Sequence, residues 1–399
     1  MEKTDVPSFE QALEYFSSFG KKESGAIDRV FGSQVYQEAA QALRKYFEQC
    51  GMDAWIDSVG NVHGIYRNST DASQQELMIG SHLDTVKDGG IFDGLLGVLA
   101  GVECVKKIKE NEVSCPIALH VLATNGEEGN ELGGTFGSRC LVGQVDWNQE
   151  FASKAKKYGF TQEKIEQAKL PLDHVIGYLE LHIEQGPTLY QNHETVGIVT
   201  GIVGLQRYRI DICGKQNHAG TTMMKYRNDA LVKASKIITE GDRLARELEY
   251  DLVATFSKVK IHPNQLAIIN DEVEMVLECR NQSEALMEEF IHRLKKQFQS
   301  NDTKWTCLVK KKPVKCNEQF VERLKGICQD KGILYRKMAS GATHDGNMMA
   351  LKVPIGMIFV PSKEGLSHCK EEWTEISDCK KGIEILYECV VQIEKEGSL

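Results

Sequence analysis

The chain has 399 residues, 41% hydrophobic and 26% charged, enough for about two globular domains with sizeable cores and unlike a disordered chain. Its net charge of −9, with no basic run longer than Lys310–Lys312, excludes nucleic acid and an anionic membrane as main partners. The N-terminus lacks an apolar signal region, and the longest apolar stretch, Leu95–Val105, is far short of the ~20 residues of a spanning helix. Twelve cysteines from Cys50 to Cys389 include no CxxC pair, so the expectation is a soluble cytoplasmic protein with reduced thiols.

In chain order, Ser33–Cys50 has the period of an amphipathic helix stopped by Gly51, and Asp53–Tyr66 reads as two short strands about a turn at Ser58–Asn61. Glu76–Ile79 reads as a buried parallel strand and runs into GSHLDTVKDGGIFDG (Gly80–Gly94), after which a helix opens at Leu95. His82 and Asp84 stand two apart, which on a strand places them on one face. Asp93 stands where an ordinary helix N-cap would. Pro116–Ala123 is a further strand that delivers TNGEEG, and Trp147–Lys169 reads as polar outer helix. Val175–Ile183 delivers His182 into HIEQGP, Pro354–Val360 delivers His368, and a helix from about Thr374 to Lys395 ends the chain. Strands alternating with helices, with polar groups at strand ends, describe an open α/β sheet whose site lies at the carboxyl ends of its strands.

Between about Gly204 and Lys325 the order changes to strand (Leu205–Cys213), helix (Arg227–Leu248), strands (Leu252–Ile261, Glu272–Arg280), helix (Ser283–Gln299) and strand (Lys304–Lys311). That is βαββαβ, the ferredoxin-like pattern, inserted into the first domain and carrying no metal-ligand cluster of its own. The domains expected are therefore 1–204 with 326–399, and 205–325.

Four strand ends terminate in His82, Asp84 and Asp93; Glu127 and Glu128; His182; and His368. Imidazole and carboxylate without thiolate suit Zn²⁺, Mn²⁺ or Co²⁺, and there are enough ligands for two ions sharing a carboxylate. Of two adjacent glutamates, one can bind metal while the other stays free as general base.

The motifs GSHLDTV…GGIFDG, NGEEG, LELHIEQGP, NHAGTT, SGATHDG and GLSHCKEEWT, in this order and across nearly the whole chain, resemble the M20-type metallopeptidase superfamily. They look most like its amidase (hydantoinase/carbamoylase) branch, with N-carbamoyl-L-amino acid hydrolases, allantoate amidohydrolases and β-ureidopropionases. The resemblance implies a zinc-peptidase-like mixed sheet flanked by helices, with the insert as a lid and dimerisation domain. It implies His82 and His182 on one divalent ion, Glu128 and His368 on the other, and Asp93 bridging. Glu127 would be the general base and Asp84 would orient His82. His218 would reach the active site of the partner subunit in a homodimer to stabilise the oxyanion, and Arg280 would hold the substrate carboxylate. The implied reaction is hydrolysis of the C–N bond of a small ureido or amide acid, most like an N-carbamoyl-L-amino acid. Allantoate, or a peptidase or aminoacylase substrate, are the alternatives.

The departures from the family pattern avoid the metal ligands. Leu205 stands where allantoate enzymes usually have Gln, Ala267 where Asn is expected, and Glu278-Cys279-Arg280 where DxR is usual. Met223 replaces Pro after NHAGTT, and Thr343 replaces Gly in SGATHDG.

Overall fold

The computed structural model describes residues 6–68, 75–248 and 252–399. They form two compact units, residues 1–200 with 315–399, and 201–314.

In the first unit a mixed sheet is built from β1 (Asp53–Ile56), β2 (Val62–Tyr66), β3 (Glu76–His82), β4 (Ala118–Thr124), β5 (Val175–Ile183) and β6 (Val196–Ile202). The insert then supplies β7 (Gly204–Cys213), β8 (Val253–His262), β9 (Glu272–Asn281) and β10 (Thr303–Lys311). The chain returns through β11 (Val314–Lys315), β12 (Tyr335–Ser340) and β13 (Ile355–Val360). The first sheet runs β1-β2-β4-β3-β5-β13-β6-β11, with β12 pairing β6. β3 lies parallel to both β4 and β5, and β13 is parallel to β5, so four carboxyl ends point one way. These central strands are buried on both faces, which is why they read as continuous apolar runs.

Helix Leu95–Glu110 packs on β3, β4 and β5 and against the last helix, Ile376–Glu396. It comes close because Gly97 has no side chain: a Cβ there would lie 2.3 Å from the Leu181 carbonyl and 2.7 Å from Ser81 Cβ. The helix Gln34–Gln49 begins at Ser33, whose hydroxyl accepts the Tyr36 N–H, and buries Ala39, Leu43 and Phe47.

The second unit is a four-stranded antiparallel sheet in the order β10-β7-β9-β8, with helices Ala230–Leu248 and Glu284–Phe298. This is the ferredoxin-like order, built around a core that includes Ile210, Ile237, Met275, Leu277 and Phe290. The units divide at 200/201 and 314/315, whereas the sequence reading set the boundaries at 204/205 and 325/326. The later boundary would cut the helix Glu318–Asp330, which Asn317 caps and which buries Phe320 against Gly177 and Gly356 of the first sheet. The strands β6, β11 and β12 are short or weakly patterned and carried no clear sequence signal.

Candidate metal centre

His82 is the last residue of β3, and His182 the penultimate one of β5. Asp93 precedes Gly94, whose φ of +70° starts the helix Leu95–Glu110 without a side-chain cap. Asp93 is therefore no N-cap; its carboxylate turns toward three imidazoles. Oδ1 lies 3.4 Å from His82 Nε2 and 3.2 Å from His182 Nε2, and Oδ2 lies 3.2 Å from His368 Nε2. Glu128 Oε1 stands 3.3 Å from the same His368 nitrogen. Two ligand groups result, His82–Asp93–His182 and Asp93–Glu128–His368, joined by one carboxylate.

These separations test the fit. Ligand atoms about 2.0–2.1 Å from a tetrahedral ion lie about 3.3–3.4 Å apart, whereas N–H···O hydrogen bonds centre near 2.9–3.0 Å. Asp93 Oδ1 and His182 Nε2 are moreover buried with no hydrogen-bond partner among the described residues. Asp93 Oδ2, by contrast, accepts from Gln185 Nε2 at 3.0 Å and from Ser367 Oγ at 3.3 Å. The ring orientations agree: His82 Nδ1 donates to the Asp84 carbonyl and His182 Nδ1 to the Ile183 carbonyl, both at 2.9 Å, so each Nε2 keeps its lone pair. These residues fit a divalent cation.

Asp84 lies beyond β3, and its carboxylate is 3.8 Å from His82 Nδ1. It instead accepts the backbone N–H groups of Gly126 and Glu127 on Oδ1, at 2.8 and 3.1 Å, and of Glu128 on Oδ2 at 3.2 Å. Asp84 thus orients His82 through its main chain and anchors the glutamate loop through its side chain. Half-buried Glu127 has a carboxylate oxygen grouped with a ring nitrogen of His82 and a carboxylate oxygen of Glu128. Burial raises its pKa well above the usual range; His82 opposes this, and the charges of Asp345, Glu128 and Asp84 add to it. For Asp93, burial acts upward but is outweighed by the three imidazoles of His182, His368 and His82 beside it, which hold the group well below the ordinary value.

Several supporting residues escaped the sequence reading, although all but Arg29 lie inside the quoted motifs. Glu372 accepts the N–H groups of Phe92 and Asp93 at 2.9 and 3.1 Å and fixes the bridging carboxylate's backbone. Glu180, wholly buried, accepts from Ser81 Oγ and the Gly346 N–H. His344 packs its ring edge-on to His182, at 4.5 Å between centroids, and Asp345 accepts from Thr124 Oγ1. Arg29, 1% exposed, donates from Nε to the Leu83 carbonyl and from Nη1 to that of Phe16. The nearest sequence signal was the clustering of polar residues at strand ends; their roles depend on packing.

His218 and Arg280 belong to the second unit. His218 is exposed, and its Nδ1 accepts the N–H groups of Gly220 and Thr221 at 3.0 and 3.3 Å, which puts the ring proton on Nε2. Arg280 Nε donates to Glu278 Oε1 at 2.8 Å. Ala267 takes a φ of +63°, a conformation that Asn adopts more readily than Ala. Among the described residues, no metal-competent group lies in this unit, and no helix is long and apolar enough to cross a membrane.

Comparison with known proteins agrees with this geometry. Residues 78–392 match the family described as Peptidase family M20/M25/M40. The chain is 32% identical to an allantoate amidohydrolase of Escherichia coli (strain K12), over 95% of this chain and 96% of that protein. It is 33% identical to an N-carbamoyl-L-amino acid amidohydrolase of Geobacillus stearothermophilus, over 96% and 97% respectively. A crystal structure of an amidase of the hydantoinase/carbamoylase family from Burkholderia multivorans superposes with a TM-score of 0.87 at 25% identity, covering 96% of each chain. The chain belongs to the metal-dependent M20/M25/M40 family, in its hydantoinase/carbamoylase amidase branch of hydrolases acting on carbon–nitrogen bonds other than peptide bonds.

Proposed function

We propose that the protein hydrolyses an N-carbamoyl-L-amino acid to the amino acid, carbon dioxide and ammonia, using two divalent ions bridged by Asp93. The observation that carries the reading is the Asp93 carboxylate, with one oxygen toward His82 and His182 and the other toward His368 beside Glu128. His82 and His182 would hold one ion, Glu128 and His368 the other; Zn²⁺, Mn²⁺ and Co²⁺ all suit this donor set. When bound, such ions polarise the scissile carbonyl and lower the pKa of the attacking water.

Glu127 takes the proton from that water as it adds to the ureido carbonyl carbon, and returns it to the leaving nitrogen as the C–N bond breaks. Its raised pKa suits both halves of the transfer. Asp84 keeps the carboxyl in place by gripping the backbone on either side of it. His218, with its proton on Nε2, is assigned as hydrogen-bond donor to the developing oxyanion in a homodimer, and Arg280 as holder of the substrate carboxylate. Leu205 in place of a polar Gln favours the carbamoyl amino acid over allantoate. The free state of all twelve cysteines fits a reducing cytoplasm.

The test is ammonia release by metal-reconstituted protein supplied with N-carbamoyl-L-amino acids, N-carbamoyl-β-alanine, allantoate and N-acyl amino acids. Fastest turnover is expected on an N-carbamoyl-L-amino acid. Preference for allantoate would move the substrate within the branch, and cleavage of N-acyl amino acids alone would overturn the ureido assignment.

A further inference from the structure

A row of buried polar side chains runs from β3 to the loop bearing Glu127, and the chemistry above gives it no task. Glu76 Oε1 accepts from Arg67 Nη2 at 2.8 Å, while Oε2 meets His120 Nδ1 at 3.1 Å and His174 Nε2 at 3.5 Å. His120 Nε2 lies 3.0 Å from His63 Nδ1, and His63 Nε2 lies 3.4 Å from Asp57 Oδ2. Trp55 stacks on His63 with an interplanar angle of 6°. Asp57 then clasps Asn61: Oδ2 accepts Asn61 Nδ2 at 2.7 Å, and Oδ1 accepts the N–H groups of Val59 and Asn61, both at 2.9 Å. Asn61 Oδ1 in turn accepts the N–H of Asn125 at 2.9 Å, and Asn125 Nδ2 donates to the Val59 carbonyl at 2.7 Å.

Counting protons shows what the row requires. The contacts Asp57–His63, His63–His120 and His120–Glu76 need three ring N–H groups when both acids are ionised, and two neutral imidazoles supply two. The row is complete when the pair carries one extra proton, its charge lying between Asp57 and Glu76. Burial lowers the His120 pKa while Glu76 works against it. The Cys140 thiol and the Tyr36 phenol also feel the Asp57 charge.

The row ends at a loop under full restraint. Asn61 takes the N–H of residue 125, and Asp84 those of 126, 127 and 128, so side chains hold four consecutive backbone donors. Gly137 makes room for the clasp, since a Cβ there would stand 2.1 Å from Asn61 Oδ1.

We propose that Asp57 and Asn61 are positioning residues that set the height of Asn125 and so aim the Glu127 carboxyl, with the His63–His120–Glu76 row steadying Asp57. The proposal rests on Glu127 being the general base. A displacement of about 1 Å in a catalytic group can cost about 100-fold in rate. Asn61→Ala is therefore expected to lower kcat about 10- to 100-fold with KM unchanged and bound Co²⁺ stoichiometry retained.

Asn61→Asp keeps the acceptor for Asn125 but sets two carboxylates against each other. Its kcat relative to wild type should be low near pH 8 and recover toward about pH 5.5, as the pair comes to share one proton. That pH profile is something a merely space-filling Asn61 would not produce, and it carries the test should Asn61→Ala fail to fold. Wild-type kcat in Asn61→Ala, or a flat activity ratio for Asn61→Asp across that range, overturns the proposal. Glu127→Gln, run alongside on the ureido compound that the wild type cleaves fastest, separates the two readings. Full turnover there removes the base assignment; loss of turnover there with normal kcat in Asn61→Ala removes only the positioning role.

Discussion

The Glu127 carboxyl stands next to Glu128 in the sequence, yet its environment differs from that of its neighbour. Glu128 turns toward His368, whereas Glu127 groups with His82 among Asp84 and Asp345. Of the two adjacent carboxylates, Glu128 thus stands beside His368, and Glu127 has a raised proton affinity. Replacing Glu127 by Gln preserves size but removes the proton acceptor. Turnover is expected to fall about 100- to 10,000-fold, while metal content by elemental analysis stays at the wild-type level. Unchanged kcat would show that another group moves the proton. Adjacent glutamates were visible in the sequence, but only the family resemblance gave them separate roles, because both side chains are the same acid and only their neighbours differ.

At the scale of elements, the site exists because β3, β4, β5 and β13 run in one direction and release their chains at one edge of the sheet. The helix Leu95–Glu110 locks β3 to β5 through the close approach at Gly97, between the two strands that carry His82 and His182. Gly97→Ala forces a methyl against the Leu181 carbonyl, an overpacking that costs about 1–3 kcal/mol or more. The expected result is a lower urea midpoint at unchanged m-value, with weaker Co²⁺ binding because the two strands are pushed apart. Wild-type stability and affinity would mean that the helix shifts freely. Apolar runs and the helix start at Leu95 were legible in one dimension, since burial on both faces leaves its mark on composition. The closeness of helix and strand was not, because a glycine reads the same in a loose turn and in a tight contact.

At the scale of the molecule, the first unit buries Asp84, Asp93, Glu128, Glu180, Asp345 and Glu372, and each feels the charge of at least one of the others. Like charges taken out of water at such density call for a cation. Chelation is expected to abolish ammonia release and to lower Tm, since an ion present at about a thousand times its Kd contributes about 4 kcal/mol of stability. Adding Zn²⁺, Mn²⁺ or Co²⁺ back should restore both, and the ion giving the highest kcat reports the functional metal. An unchanged Tm on chelation would show that the ligands are held by the protein without help from the ion.

The sequence by itself determined the strand–helix alternation, the βαββαβ insert and the motifs that mark the family, because these are written in local periodicity and short-range spacing. The resemblance those motifs carry also pointed to His82, Asp93, Glu128, His182 and His368 as candidate ligands, each placed directly after an apolar run or a turn. Only the tertiary structure decided that Asp93 faces three imidazoles rather than capping a helix, and that Asp84 holds a loop more than forty residues away. It alone joined Glu76, His120, His63 and Asp57 to Asn125. A carboxylate or an imidazole takes its role from the donors and charges within a few ångströms, and folding draws those from strands distant in the chain.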